Sequence, residues 1–206
     1  DLAKKIIFSF IGNFMDKNEL SKIIDKSYSV FRKENVVDFI TLGDRSVLEL
    51  FHGPTLAFKD FAMLLLAELF DVSLKKRNEK ITIIGATSGD TGSAAIEAFK
   101  NSKNVNVFIF YPKDRVSEVQ RKQMTTTDGD GVFPIEIDGT FDDCQNIVKD
   151  LFNDKNFNDE VKLGAINSIN WGRIAAQIVY YFTSFKLLNN ESVSYSVPTG
   201  NFGDIL

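Results

Sequence analysis

The chain has 206 residues and a mass of 23.2 kDa, which is the size of one large domain or two small ones. Hydrophobic residues make up 44% of it and charged residues 25%, so its composition is globular and excludes collagen-like or wholly disordered chains. With 24 basic and 28 acidic residues the net charge is −4, which leaves no basic excess to bind a nucleic acid.

One cysteine and one histidine exclude an internal disulfide and a structural Cys/His zinc site, and we expect no bound metal. The single cysteine favours a reducing, cytoplasmic location.

No apolar run reaches the ~18–20 residues of a membrane span, so we expect no membrane association. The N-terminal DLAKKIIFSFIGNF lacks the cleavage site of a signal peptide and continues at helical spacing, which predicts an internal helix of a longer protein.

The pattern of apolar residues changes near residue 50. In the stretches 2–10 and 19–31 apolar residues recur near a 3.6-residue period, which predicts a helical segment over residues 1–50. Beyond it, over residues 51–206, short β-branched runs alternate with helical stretches. We therefore expect a helical N-terminal segment followed by an α/β region.

Within this α/β region we predict helices and strands in alternation. The helices are expected at 61–70, 93–100, 116–124, 141–152 and 171–188, and the strands at 81–84, 105–111, 132–137, 161–166 and 193–197. Thr140 and Asp143 have the spacing of a capping box before one helix. Strands joined through single helices need crossover connections, so the sheet should be open and mostly parallel with helices on both faces. Ligands of such sheets bind at the carboxyl ends of the strands.

Two glycine-rich loops follow predicted strands. ATSGDTG at 86–92 opens a helix, and its hydroxyl groups beside helix-N-terminal N–H groups are typical of an anion site. The alternative is that this loop only caps the helix. PTGNFGD at 198–204 repeats the arrangement, but it has neither the Walker A lysine nor the full GxGxxG spacing. It predicts a phosphate site that is not one of these nucleotide sites.

Lys59 lies among apolar residues in FHGPTLAFKDFA, residues 51–62. Desolvation disfavours an ammonium in such a setting, so this lysine could act as an amine nucleophile or a proton carrier. The alternative is a lysine whose ammonium reaches water from an amphipathic helix. These residues alone indicate an anion-binding α/β protein and do not specify a reaction.

Five segments occur in a specific order: LFHGPTLAFKD, ATSGDTGSAA, GTFDDCQ, NSINWGRIAAQ and VPTGNFGD. Together they resemble the threonine synthase family, which consists of pyridoxal-phosphate (PLP) enzymes with the tryptophan synthase β-like fold. The resemblance extends from about residue 25 to the last residue. Members of the family are much longer, so it implies that this chain lacks a large C-terminal part, including the residue that faces the pyridine nitrogen.

The resemblance also implies roles for individual residues. Lys59 attaches PLP covalently and serves as the catalytic proton carrier. The cofactor phosphate is received by the loop of Gly200, Asn201, Phe202, Gly203 and Asp204, and Asp90 lies beside the 3′-oxygen of the cofactor. The carboxylate of the substrate is received by Ser88, Gly89 and Thr91, and its phosphate by Ser168, Asn170 and Arg173.

The implied reaction converts O-phospho-L-homoserine and water to L-threonine and phosphate, with PLP as the electron sink. One alternative is a threonine or serine dehydratase or a threonine synthase-like phospho-lyase of the same fold. Another is a catalytically silent fragment. His52 and Cys144 are interpreted as structural residues, although His52 lies inside the FHGPT motif and could support the site from behind. The sequence does not determine the oligomeric state.

Overall fold

The computed structural model describes residues 1–167, 170–188, 192–200 and 202–205. The chain forms two compact units. The first consists of residues 1–66 together with residues 168–206, and the second is the continuous stretch 67–167. Among the described residues, no helix has the length and apolar character needed to cross a membrane.

The N-terminal elements are two helices and a hairpin. Helices α1 (Leu2–Ile11) and α2 (Lys17–Tyr28) confirm the predicted periodicity, and the side chain of Asp16 caps α2. Strands β1 (Asp38–Leu42) and β2 (Arg45–Glu49) then pair antiparallel. This hairpin is absent from our prediction of a helical segment, although its two-residue Gly43–Asp44 connection is a recognised hairpin signal. Helix α3 (Lys59–Arg77) follows and continues into the second unit.

The second unit contains a four-stranded parallel sheet. Its elements are β3 (Ile81–Ala86), α4 (Asp90–Phe99), β4 (Val105–Pro112), α5 (Glu118–Thr125), β5 (Val132–Ile137), α6 (Phe141–Asn153), α7 (Lys155–Val161) and β6 (Leu163–Ala165). The strand order is β5-β4-β3-β6. Since every neighbouring pair is parallel, the predicted α/β architecture is confirmed. Pro134 lacks an N–H to donate, and it lies in the edge strand β5, where that loss is tolerated.

Both faces of this sheet are covered by helices. On one face Ile84 and Phe110 pack around Cys144 of α6. Alternate residues of β4 point the other way, and Ile109 lies next to Gly92 of α4. The carboxyl ends of β3 and β4 therefore lead into the segments that begin α4 and α5.

Helix α8 (Trp171–Leu188) matches the predicted helix and belongs to the first unit. Its Tyr180 ring lies 5.6 Å from the ring of Phe61, which in turn lies 4.8 Å from Phe31. The first unit is therefore built from both ends of the chain. The units divide at residues 66 and 167 rather than at residue 50, because packing against α8 holds the start of α3 with the N-terminal helices.

The predicted strand at 193–197 does not form in the structure. A strand is stabilised by the ladder hydrogen bonds of a neighbour, and no described residue pairs with this segment. Tyr195 instead directs its hydroxyl to the backbone carbonyl of Tyr181, at 3.3 Å, and lies 2.9 Å from the Ser184 hydroxyl.

Candidate functional site

Lys59 is the first residue of α3 and its side chain is half-buried. The Nζ atom lies 4.4 Å from the centroid of the Phe58 ring, so an aromatic face covers one side of the ammonium. The segment before it turns at residues 53–56, where the Leu56 N–H donates to the Gly53 carbonyl at 3.2 Å. Leu56 has a φ of 63°, a left-handed conformation that is costly for a residue with a side chain.

The turn before Lys59 is held by Asp60, which is 1% exposed. One carboxylate oxygen of Asp60 accepts from the Thr55 N–H at 2.8 Å, and the other accepts from the Thr55 hydroxyl at 2.6 Å. A Cβ added to Gly53 would overlap the Asp60 side chain, so only glycine permits this approach. Asp60, Thr55 and Gly53 are site residues that our sequence prediction omits, although all three lie inside the FHGPTLAFKD motif.

His52 connects this turn to the β1–β2 hairpin. Its Nε2 lies 2.9 Å from a carboxylate oxygen of Glu49, and both side chains are largely buried. Glu49 is directly opposite Asp38 across the hairpin, so two acidic side chains face each other. The Lys33 ammonium, 2.9 Å from Asp38, lowers the pKa of that carboxyl group and compensates its charge. His52 is thus held to the end of β2, immediately before the turn at residues 53–56.

In the second unit, the loop ATSGDTG connects β3 to α4. The buried Thr87 hydroxyl accepts from the N–H groups of Gly89 at 3.0 Å and Gly92 at 2.9 Å. The buried Thr87 side chain therefore caps the first turn of α4. Ser88 is exposed, and Gly89 and Thr91 lie on either side of Asp90 at the start of the helix. The loop caps a helix and also presents a helix N-terminus of the kind that binds anions.

Asp90 contacts a residue that our prediction does not include. The side-chain amide of Gln120, in the first turn of α5, donates to the Asp90 carboxylate at 2.5 Å. The sequence signal for Gln120 is the capping-box pattern Ser117-x-x-Gln120, which predicts a helix start but no contact with another loop.

Arg173 and Asn170 lie at the start of α8. The Asn170 side-chain oxygen accepts from the Gly172 N–H at 2.9 Å, so Asn170 caps the helix. Arg173 is 1% exposed. Burial lowers the pKa of Arg173 to about 10, which leaves its guanidinium protonated at neutral pH. Ser168, predicted beside these two residues, lies outside the described residues.

The loop of residues 198–204 follows α8 in the same unit. The Phe202 N–H donates to the Thr199 hydroxyl at 3.0 Å, and Phe202 has a φ of 58°. The Tyr181 hydroxyl donates to the carbonyl of Asp204 at 2.5 Å. The Tyr180 hydroxyl lies 2.9 Å from the Gln177 side-chain oxygen and 3.4 Å from the same Asp204 carbonyl. Burial raises the pKa of both tyrosines, so both hydroxyls remain protonated donors. Two residues of α8 therefore anchor this loop.

Gly200 and Gly203 differ in their surroundings within this loop. Gly200 is exposed, and a Cβ built on it would meet no atom of the described residues within 4 Å. Gly203 is buried, as is Asp204, whose Oδ1 has no hydrogen-bond partner among the described residues. Asn201 lies outside the described residues.

The predicted residues fall into the two units. The first unit contains Lys59, Asn170, Arg173 and the 198–204 loop, and the second contains Ser88 to Thr91. The second unit also has an open groove of about 720 Å³ at the carboxyl ends of β4 and β5. Lys113, Arg115 and Thr140 are among its lining residues, and no predicted site residue lines it.

Comparison with known proteins gives a family profile and several close relatives. A profile described as pyridoxal-phosphate dependent enzyme matches residues 47–205. The threonine synthase of Pseudomonas aeruginosa is 52% identical over 208 residues, covering 100% of this chain and 44% of that protein. The threonine synthase of Saccharomyces cerevisiae is 47% identical over 224 residues, with the same two shares.

Solved structures of threonine synthases also resemble the chain. The crystal structure of PLP-bound threonine synthase from Brucella melitensis superposes with a TM-score of 0.94 at 48% identity, and it covers 99% of this chain and 45% of that one. The chain thus spans less than half the length of the curated relatives it matches.

Proposed function

Because the chain belongs to the pyridoxal-phosphate dependent enzyme family, we propose that the protein containing it converts O-phospho-L-homoserine and water to L-threonine and phosphate. The observation that carries this proposal is the 52% identity to a threonine synthase over the whole chain, together with the presence of Lys59, both glycine-rich loops and Arg173. The location we propose is the reducing cytoplasm, since the one cysteine, Cys144, is a buried free thiol.

The residues of the first unit fit the cofactor. No atom of the described residues lies within 4 Å of a Cβ built on Gly200, which supports room for a phosphate group, and the loop around it is held in place by Tyr180 and Tyr181. A carboxylate only accepts hydrogen bonds, so Asp204 shapes this loop through its backbone and its side chain does not bind the phosphate. Asn201, Phe202 and Gly203 complete the proposed phosphate loop. When bound, PLP supplies an electron sink that stabilises carbanions.

Lys59 performs the proton chemistry in this proposal. Its ε-amine attaches the cofactor and, once released from it, takes up and returns protons at the reacting carbons. The Phe58 ring on one side and the Asp60-stabilised turn behind it restrict the directions in which the amine can point. Asp60 is an acceptor for Thr55, so it positions the turn and does not itself move a proton.

The substrate is held at its two charged ends. Ser88, Gly89 and Thr91 at the N-terminus of α4 bind the amino-acid carboxylate, and Asp90 lies beside the cofactor. Arg173 binds the substrate phosphate with Ser168 and Asn170, since a guanidinium binds phosphate through two parallel hydrogen bonds. A threonine or serine dehydratase has no substrate phosphate to bind, so the segment NSINWGR with Arg173 favours the phosphate ester as substrate.

The test uses the full-length protein with O-phospho-L-homoserine. We expect equal amounts of L-threonine and inorganic phosphate, and Lys59 as the single lysine that borohydride fixes to PLP in the mapped peptides. Lys59→Ala should abolish the fixed adduct, and Lys75→Ala, at the end of the same helix, should leave it unchanged. Formation of 2-oxo acids from threonine or serine without phosphate release would instead identify a dehydratase. A protein with neither activity would be the silent alternative.

A further inference from the structure

Gln120 joins the starts of two helices through one side-chain amide. Its oxygen accepts from the Ser117 N–H at 3.2 Å and from the Ser117 hydroxyl at 2.8 Å, which completes the capping box of α5. Its nitrogen donates to the Asp90 carboxylate at 2.5 Å, in the first turn of α4. Both ends of the amide are therefore engaged, each by a different helix.

The amide of Gln120 also occupies the space above Gly89. A Cβ added to Gly89 would overlap the amide group, and Gly89 has a φ of 146°, a conformation that side chains rarely allow. In addition, the Ser93 hydroxyl donates to the backbone carbonyl of Gln120 at 3.3 Å. The start of α5 therefore contacts the 89–93 segment through its side chain and its backbone.

From this geometry we propose that Gln120 is a positioning residue that acts through Asp90 and holds the 88–91 loop in the conformation that receives the substrate carboxylate. The inference rests on the proposed function for the identity of the carboxylate. A loop of serine, threonine and glycine loses much conformational entropy when it is ordered. An amide that fixes the loop before binding removes that cost from the binding step, and the effect should appear in KM.

The amide of Gln120 is suited to this contact because it is a neutral donor to a carboxylate. Gln120→Glu would place a second carboxylate against Asp90, and Gln120→Ala would remove the contact and open the space above Gly89. The donor and the acceptor of the Gln120–Asp90 pair can also be exchanged. In the double variant Gln120→Glu with Asp90→Asn, the new amide donates to the new carboxylate, which still accepts from Ser117.

The first experiment measures steady-state kinetics of the full-length holoenzyme with O-phospho-L-homoserine. We expect Gln120→Glu to raise KM by roughly ten-fold or more while the protein still binds PLP. The Asp90→Asn single variant completes the cycle, and the double variant should show a lower KM than Gln120→Glu alone and a smaller effect than the two single variants combined. Thr125→Ala is the control, since Thr125 is an exposed residue of the same helix whose hydroxyl donates to the Arg121 carbonyl, and its KM should stay within two-fold of wild type.

The second experiment is independent of catalysis. Amide hydrogen exchange of residues 86–92 is measured in the cofactor-free full-length protein, and Gln120→Ala should accelerate it while Thr125→Ala does not. Unchanged exchange and unchanged KM in Gln120→Ala would overturn the proposal, as would additive effects in the double variant. If wild type does not use O-phospho-L-homoserine, the proposed function fails, and accelerated exchange would still support a loop-positioning role for Gln120.

Discussion

Arg173 places a cation in the interior of the first unit, where its side chain is 1% exposed. Replacing it with alanine should raise KM for O-phospho-L-homoserine or lower kcat/KM about ten- to a hundred-fold, because a charge-assisted pair contributes ~1.5–3 kcal/mol. The PLP spectrum should remain normal, since the cofactor phosphate is assigned to the 198–204 loop. If Arg173→Ala instead loses PLP but retains its affinity for the substrate, the assignment of Arg173 to the substrate phosphate is wrong.

The lowered pKa of Arg173 also predicts how substrate binding and folding stability change with pH. Because burial lowers it to about 10, the guanidinium is charged below that pH, and substrate-phosphate binding should weaken as pH rises through about 10. In the unfolded chain Arg173 has the ordinary, higher pKa of an arginine. Between the folded pKa and this unfolded pKa, the unfolded state therefore binds more protons than the folded state. The contribution of this residue to folding stability should therefore increase with pH across that window.

Asp60 is the residue on which the conformation of the Lys59 turn depends most directly. Asp60→Asn replaces one acceptor oxygen by a donor, so the Thr55 N–H keeps an acceptor but the Thr55 hydroxyl must change from donor to acceptor, and both hydrogen bonds lose their charge. We expect a loss of about 1–3 kcal/mol in the free energy of unfolding, measured by urea denaturation. Asp44→Asn is the control because that side chain is exposed, and a similar loss in both variants would contradict the role of Asp60.

The site was predictable from the sequence to the extent that its residues lie in local motifs. The loop patterns predicted helices beginning at 61 and 93, and α3 and α4 begin two and three residues earlier, at Lys59 and Asp90. The contacts of Asp60 and Gln120 were not predictable in the same way. The Gln120–Asp90 bond joins residues 30 positions apart, and its formation depends on how α4 and α5 pack rather than on either local sequence.

The capping box of α6 is a test at the scale of one element. The Thr140 hydroxyl accepts from the Asp143 N–H at 3.2 Å, and the Asp143 carboxylate accepts from the Thr140 N–H at 2.7 Å. Thr140→Ala should lower the free energy of unfolding by about 1 kcal/mol, measured by urea denaturation. Thr140→Ser keeps the hydroxyl and should stay close to wild type, whereas an equal loss in both variants would contradict the cap.

The same capping box should make the free energy of unfolding depend on pH in the acidic range. The hydrogen bonds from Thr140 lower the pKa of Asp143, so the folded state favours its ionised form. That stabilisation is complete above the ordinary aspartate pKa near 4 and is lost as pH falls through the lowered value in the folded state. The difference in urea midpoint between wild type and Asp143→Asn should therefore shrink between pH 7 and pH 3.

Elements with an apolar pattern were mostly predicted, but such a pattern also predicted one strand that does not form. Helix α8 and strand β5 have the predicted bounds, and β5 pairs with β4. The strand expected at 193–197 has an equally apolar pattern but no described partner to complete its hydrogen bonds. Periodicity specifies which face of a segment is apolar, and pairing decides whether that segment becomes a strand.

At the scale of the whole molecule, the two units differ in how the chain builds them. The core of the first unit joins residues far apart in sequence, such as Phe31, Phe61 and Tyr180. The second unit is one continuous stretch whose sheet and helices lie between residues 67 and 167. Local connections shorten the loops that must close during folding, which favours the second unit as an independent folding unit.

We therefore expect residues 67–167 to fold when expressed alone and residues 1–66 alone to remain largely unfolded. The first stretch contains all four strands of the parallel sheet and the core around Ile84, Phe110 and Cys144. The second lacks α8 and the aromatic contact of Phe61 with Tyr180. Circular dichroism and amide dispersion in NMR spectra would distinguish these outcomes, with Cys144→Asp in the 67–167 stretch as the unfolded control, because it buries a charge against Ile84. A cooperative urea transition for 1–66 would show that this stretch does not need α8 to fold, and the absence of one for 67–167 would show that the second unit does not fold independently.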